Sequence, residues 1–155
     1  MKVYVGADHR GFALKEKLKD WLSEKGYTVV DCGNTVHDPD DDYPDFASAV
    51  AKNVRKNHED RGIVICGSAM GVGITANKFK GIRCGVGINV EDVHHGRDHD
   101  DINVLGLSSD YVDPEVSLEM TTMFLETPFN QGERHVRRLK KIEKITHILV
   151  EKVNF

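Results

Sequence analysis

The sequence predicts an α/β protein, a Rossmann-like, doubly wound three-layer α/β/α sandwich around a parallel five-stranded sheet. Three observations lead there. Short apolar runs recur five times, each followed by a longer segment of helical character. No two runs are joined by a hairpin turn. The run at residues 63–66 (IVIC) is apolar throughout, as suits a strand covered on both faces. With 155 residues, 39% hydrophobic and 30% charged, the chain has the size and composition of a single domain spanning 1–155.

The elements follow in order. Val3 to Val5 form a first strand stopped by Gly6, and AlaAspHisArgGly (7–11) makes a turn. A helix is predicted over 12–25, with Leu14, Leu18, Trp21 and Leu22 on one face and Gly26 as the residue that ends it. The second strand is 27–30. Residues 31–43 form a long irregular segment, with Gly33, Asn34, Pro39 and an aspartate run as breakers, and connections of this length are often functional. A helix over 45–57 presents Phe46, Ala47, Val50, Ala51 and Val54.

After the strand at 63–66 come a glycine-rich turn and a helix ending near Asn77. A fourth strand is predicted at 83–88, a poorly amphipathic helix at 90–99 and a fifth strand at 103–107. Pro114 suits the first turn of the next helix. The last helix, about 133–153, carries a long apolar stripe of Val136, Leu139, Ile142, Ile145, Ile148 or Leu149, and Val153 after the sheet is complete. It is predicted to pack partly on another subunit.

Composition narrows the partners. A formal charge of −4 gives no electrostatic reason for a nucleic-acid or membrane partner. Cys32, Cys66 and Cys84 are an odd number without metal-ligand spacing, and the N-terminus lacks the apolar core of a signal peptide, so a reducing, cytoplasmic setting is predicted.

The chemistry centres on residues 62–78, GIVICGSAMGVGITANK. A strand, a glycine turn and a helix start aim unpaired backbone N–H groups and a positive dipole end at one point, where an anion is stabilised. Cys66 lies at the mouth, where its thiolate is favoured as base or nucleophile. Doubly wound sheets bind ligands beyond the carboxyl ends of their strands, which places the Asp8–His9 turn beside the Cys66–Gly71 turn. Two other patterns are weaker. GlyValGlyIleThrAla (71–76) matches a dinucleotide fingerprint but follows the third strand rather than the first, and residues 94–101 hold three histidines and several acids without a clean metal motif.

AspHis (8 and 9), TyrProAspPheAla (43–47), IleCysGlySer (65–68) with Gly71 and AlaAsnLys (76–78), His99 with Asp101 and Asn103, and GluArgHisValArgArg (133–138) together resemble the type B ribose-5-phosphate isomerase family, whose relatives include galactose-6-phosphate isomerase subunits. The resemblance covers nearly the whole chain in register. It implies an aldose–ketose isomerase interconverting ribose 5-phosphate and ribulose 5-phosphate through an enediolate, with no metal or organic cofactor. Cys66 resembles the base, and the turn Gly67, Ser68, Ala69, Met70, Gly71 resembles the enediolate cradle, with the Ser68 hydroxyl assisting.

By the same resemblance His99 opens the sugar ring, Asp8, His9 and Tyr43 line the substrate with Asp100, and Arg134 and Arg138 grip the phosphate from the neighbouring subunit of a homodimer or tetramer. Three residues depart from the family pattern: Ala69 for glycine, Asp100 beside His99 for asparagine, and Asp110 where relatives often carry arginine. A carboxylate at 100 is expected to favour a protonated His99. The residues by themselves leave alternatives open. Asp8 also reads as a helix cap, Ser68 as a turn residue, His9 and His99 as surface histidines, and the arginines as a solvated helix face. A six-carbon substrate, allose 6-phosphate or galactose 6-phosphate, and a non-catalytic sugar-phosphate-binding module are the competing functions.

Overall fold

Five parallel strands form one sheet in the order β2-β1-β3-β5-β4. The computed structural model describes residues 1–151, with side chains through residue 145. The strands are β1 (Lys2–Ala7), β2 (Thr28–Asp31), β3 (Arg61–Cys66), β4 (Cys84–Val86) and β5 (Val104–Ser108). They alternate with α1 (Phe12–Glu24), α2 (Tyr43–Val54), α3 (Met70–Ala76), α4 (Val90–Asp100) and α5 (Pro114–Glu126), and α6 (Glu133–Glu151) follows. The chain winds from β1 to one side and returns to β3 on the other, so strand order reverses between β1 and β3. That is the doubly wound arrangement, with its ligand crevice at the carboxyl ends of these two strands.

Alternation along the strands builds two cores. Ile63 and Ile65 face a layer made by α1, α4 and α5, where Leu14, Leu18, Leu22, Val93, Met120 and Phe124 are buried. Val64 and Cys66 face α2 and α3, with Val50, Val54 and Val72. Burial on both faces explains why β3 and β5 read as apolar runs without polar alternation. Each fully buried Leu, Ile or Val contributes about 1.5–3 kcal/mol of transfer free energy.

The helix boundaries have local causes. Gly26 ends α1 at φ 84, donating its N–H to Ser23 O at 3.0 Å. Asn89 caps α4 by accepting the Asp92 N–H at 2.8 Å, and Asp113 caps α5 through the Glu115 N–H at 2.8 Å, just before Pro114. Helix α2 begins at Tyr43, two residues before the expected start, because Pro44 fits its first turn. Strand β4 is three residues rather than six, since it pairs with β5 alone at the sheet edge. On α6, Ile142 and Ile145 are exposed. The side chains of Ile148, Leu149 and Val153 lie outside the described residues.

Candidate active site

The parallel sheet separates the predicted residues into two groups. The first sits at the carboxyl edge. Cys66 ends β3, 5% exposed, and its carbonyl accepts the Ser109 N–H at 3.0 Å, tying the strand end to the segment after β5. Gly67 O accepts the Asp110 N–H at 3.1 Å and the Ser108 hydroxyl at 2.6 Å, so the turn is held by its carbonyls. Its backbone N–H groups are differently placed: those of Gly67, Ser68, Ala69 and Gly71 have no hydrogen-bond partner among the described residues. Helix α3 is only two turns long, so these N–H groups rather than a macrodipole are what an anion meets first.

Ala69 takes the left-handed conformation, φ 63, at the start of α3. A Cβ in that region costs about 1–2 kcal/mol, which a glycine would not incur. Ser68 is exposed, and its hydroxyl accepts the Met70 N–H at a long 3.4 Å. At the two flanking glycines neighbouring side chains occupy the place of a Cβ. A Cβ on Gly67 would lie 2.7 Å from Arg10 Nε and from Asp110 Oδ2, and one on Gly71 would lie 2.6 Å from the Tyr43 ring. Tyr43 therefore rests on the glycine that the dinucleotide fingerprint would need open for a diphosphate.

The turn after β1 completes this edge. Asp8, 5% exposed, accepts the N–H groups of Arg10 and Gly11 at 3.0 Å and so fastens the start of α1. Asp41 comes in from the long segment between β2 and α2, and its Oδ1 meets both the backbone N–H and Nδ1 of His9 at 2.9 Å. That hydrogen bond holds the His9 ring above its ordinary pKa, against a smaller opposing effect of burial. Burial pushes the Asp41 carboxyl up, but His9 and Asn34 outweigh it and keep it below the usual carboxylate range. Asp110 pairs with Arg10 over Gly67. Sequence reasoning did not single out Asp41 or Arg10, and the aspartate run was the only signal of the former.

His99, Arg134 and Arg138 form the second group. Helix α4 starts beyond the carboxyl end of β4 and runs back, so His99 in its last turn lies at the amino edge, roughly 20 Å along the strands from Cys66. His99 stacks on His135 with centroids 4.5 Å apart and planes 18° apart. Arg134 Nε donates to His135 Nε2 at 3.1 Å. His135 is 3% exposed and its Nδ1 has no partner among the described residues. Its place between the two arginines was the available signal for it. Arg134 and Arg138 are one turn apart on α6 and exposed.

The carboxylate beside His99 is Asp98, at 3.1 Å, and not Asp100. Asp100 is exposed and borders a separate cleft of about 240 Å³ with Asp92 and His95, because successive helix positions point about 100° apart. The other two cysteines are partly buried, and desolvation pushes their thiols up, Cys32 to about 11 and Cys84 to about 12. Among the described residues no three His, Cys, Asp or Glu side chains converge as a metal site, although His95 and His99 do share a helix face. No described helix is long and apolar enough to cross a membrane.

A doubly wound sheet with a cysteine and free N–H groups at its switch point, and an arginine pair on a separate helix, places donors suited to an anion at both edges of an α/β protein. Comparison with known proteins gives the family. The Ribose/Galactose Isomerase family model matches residues 3–142, and the chain belongs to that family. It is 40% identical over 141 residues to the probable ribose-5-phosphate isomerase B of Mycoplasma genitalium, covering 90% of this chain and 92% of the relative.

Among solved structures, ribose-5-phosphate isomerase B of Clostridium thermocellum superposes with a TM-score of 0.92 at 39% identity, covering 96% of this chain and 99% of the other. The Mycoplasma genitalium enzyme with bound ribulose-5-phosphate gives 0.90 at 39% identity, with coverage of 93% and 95%.

Proposed function

We propose that this protein is an aldose–ketose isomerase interconverting ribose 5-phosphate and ribulose 5-phosphate without a cofactor. The observation that carries the reading is Cys66, fixed on a buried strand directly before a turn of unpaired N–H groups. Isomerisation needs a base that takes a carbon-bound proton and returns it to the neighbouring carbon, and donors for the oxyanion formed between the two steps. Cys66 supplies the base. The N–H groups of Gly67, Ser68, Ala69 and Gly71 supply the donors. Asp8, His9 and Tyr43 line the sugar, and the bound ribulose-5-phosphate of the Mycoplasma relative supports a five-carbon substrate.

His99, Arg134 and Arg138 act from a second copy of the chain. They are too far from Cys66 within one chain to meet the same sugar phosphate, and a two-fold dimer brings the amino edge of one copy to the carboxyl edge of the other twice over. Exposed apolar side chains around the Cys66 edge, Met70, Ile74, Ile88 and Tyr111, support such a covering. In that assembly His99 opens the furanose ring and the two guanidinium forks grip the phosphate. Three free cysteines fit a reducing, cytoplasmic setting.

The test is turnover of ribose 5-phosphate by purified protein with a chelator present, beside Cys66→Ala, an Arg134→Gln/Arg138→Gln double variant, and the two refolded together. Each variant alone is expected to be inactive, while the mixture recovers about a quarter of wild-type activity, since half the dimers are mixed and each has one intact site. Wild-type inactivity on ribose 5-phosphate sinks the substrate assignment and directs the assay to allose 6-phosphate. A mixture that stays inactive sinks the shared site.

A further inference from the structure

At the amino edge of the sheet an open cleft of about 580 Å³ lies outside the site just described. Neither Cys66 nor Arg134 or Arg138 borders it. Four arginines line it: Arg55 after α2, Arg61 at the start of β3, Arg83 just before β4 and Arg97 in α4. Only two carboxylates share the lining, Glu59 and Asp101, leaving an excess of two positive charges. Asp101 is already saturated. Its Oδ1 takes Arg97 Nη1 at 2.7 Å, its Oδ2 takes Arg83 Nη2 at 2.6 Å, and its carbonyl takes Arg83 Nε at 2.8 Å. Glu59 is engaged by His58 at 2.8 Å.

Arg55 and Arg61 therefore form no ion pair among the described residues, although they stand beside two further guanidinium groups. Arg61 gives one nitrogen, Nη1, to the carbonyls of His58 and Asp60 at 2.9 Å. Burial first, and then the charge of Arg97, push its guanidinium below the ordinary range, partly offset by Asp101 and Glu59. Guanidinium forks match the oxygens of a phosphate, and a cleft with low-dielectric walls strengthens that attraction. The volume lies in the range of small-molecule sites, with Phe129 as an apolar wall for the rest of a ligand.

We propose that this cleft is a second anion site, which binds the phosphate group of a small phosphorylated metabolite between Arg55 and Arg61. It is independent of the isomerase reading, because it shares no residue with that site.

The experiment is calorimetric titration of inorganic phosphate into the Arg134→Gln/Arg138→Gln protein, in which the proposed substrate clamp is removed. Binding is expected to persist, to weaken about tenfold or more when Arg55→Gln and Arg61→Gln are added, and to weaken as salt is raised. Arg55 is exposed, so Arg55→Gln alone tests the site without endangering the fold and is expected to weaken binding about threefold or more. Absence of phosphate binding in the clamp-free protein overturns the proposal. So does binding that neither arginine change alters.

Discussion

At the carboxyl edge of the sheet Cys66 and Asp8 are held by backbone, whereas at the amino edge His99, His135 and Arg134 are held by one another. Cys66 sits on a strand paired on both sides by β1 and β5, and Asp8 is fastened to two backbone N–H groups. His99 is instead positioned by stacking on His135, which Arg134 holds, and α6 meets its own chain through α4. The first arrangement leaves its groups little freedom, as the proposed base and oxyanion donors require. The second suits groups that close on a substrate from outside, where long exposed side chains adapt to a phosphate.

That contrast predicts where substitutions act. Cys66→Ala is expected to lower kcat by about 10²–10⁴-fold with the fold intact, checked by turnover and circular dichroism; activity within tenfold of wild type would assign the base elsewhere. Arg138→Gln acts on the adaptable edge and should lower kcat/KM about 10–100-fold, with much of the change in KM. A pure kcat effect would place that arginine in the chemistry rather than the anchor.

The backbone-held edge also carries strain that can be released. Ala69→Gly is expected to raise stability by about 1 kcal/mol, read as a higher urea midpoint at unchanged slope. A lower midpoint would show that alanine is comfortable at φ 63. A smaller change concerns His9, whose folded pKa is raised by Asp41. A raised histidine stabilises the fold fully below its unfolded pKa, and this contribution is lost as pH rises through the folded value. Asp41→Asn should return the His9 titration toward the ordinary range, followed by NMR of the ring protons, and flatten that part of the stability profile. The smallest effect belongs to Cys32→Ala and Cys84→Ala. Thiols pushed to about 11 and about 12 are protonated at neutral pH, so the pH–rate profile should not move.

Most of the fold was legible because parallel strands buried on both faces leave continuous apolar runs, and helices leave periodic ones. The ends of β4 and α2 were not, since edge pairing and a proline in a first helical turn decide them. Within the site, the Cys66 turn and the Asp8–His9 turn could be read from local spacing. Arg10 and Asp41 could not, because their partners lie far along the chain, Asp110 for Arg10 and His9 for Asp41.

The sequence alone determined the alternation of strands and helices, the family register and the residue types available for proton transfer and phosphate binding, all of which are local patterns. Only the tertiary structure decided that Ala69 is left-handed, that Asp98 rather than Asp100 meets His99, and that His99 stands at the edge opposite Cys66. The physical reason is direction: a parallel strand and the helix that follows it run opposite ways, so a residue ending a strand and one ending a helix reach opposite edges of the sheet.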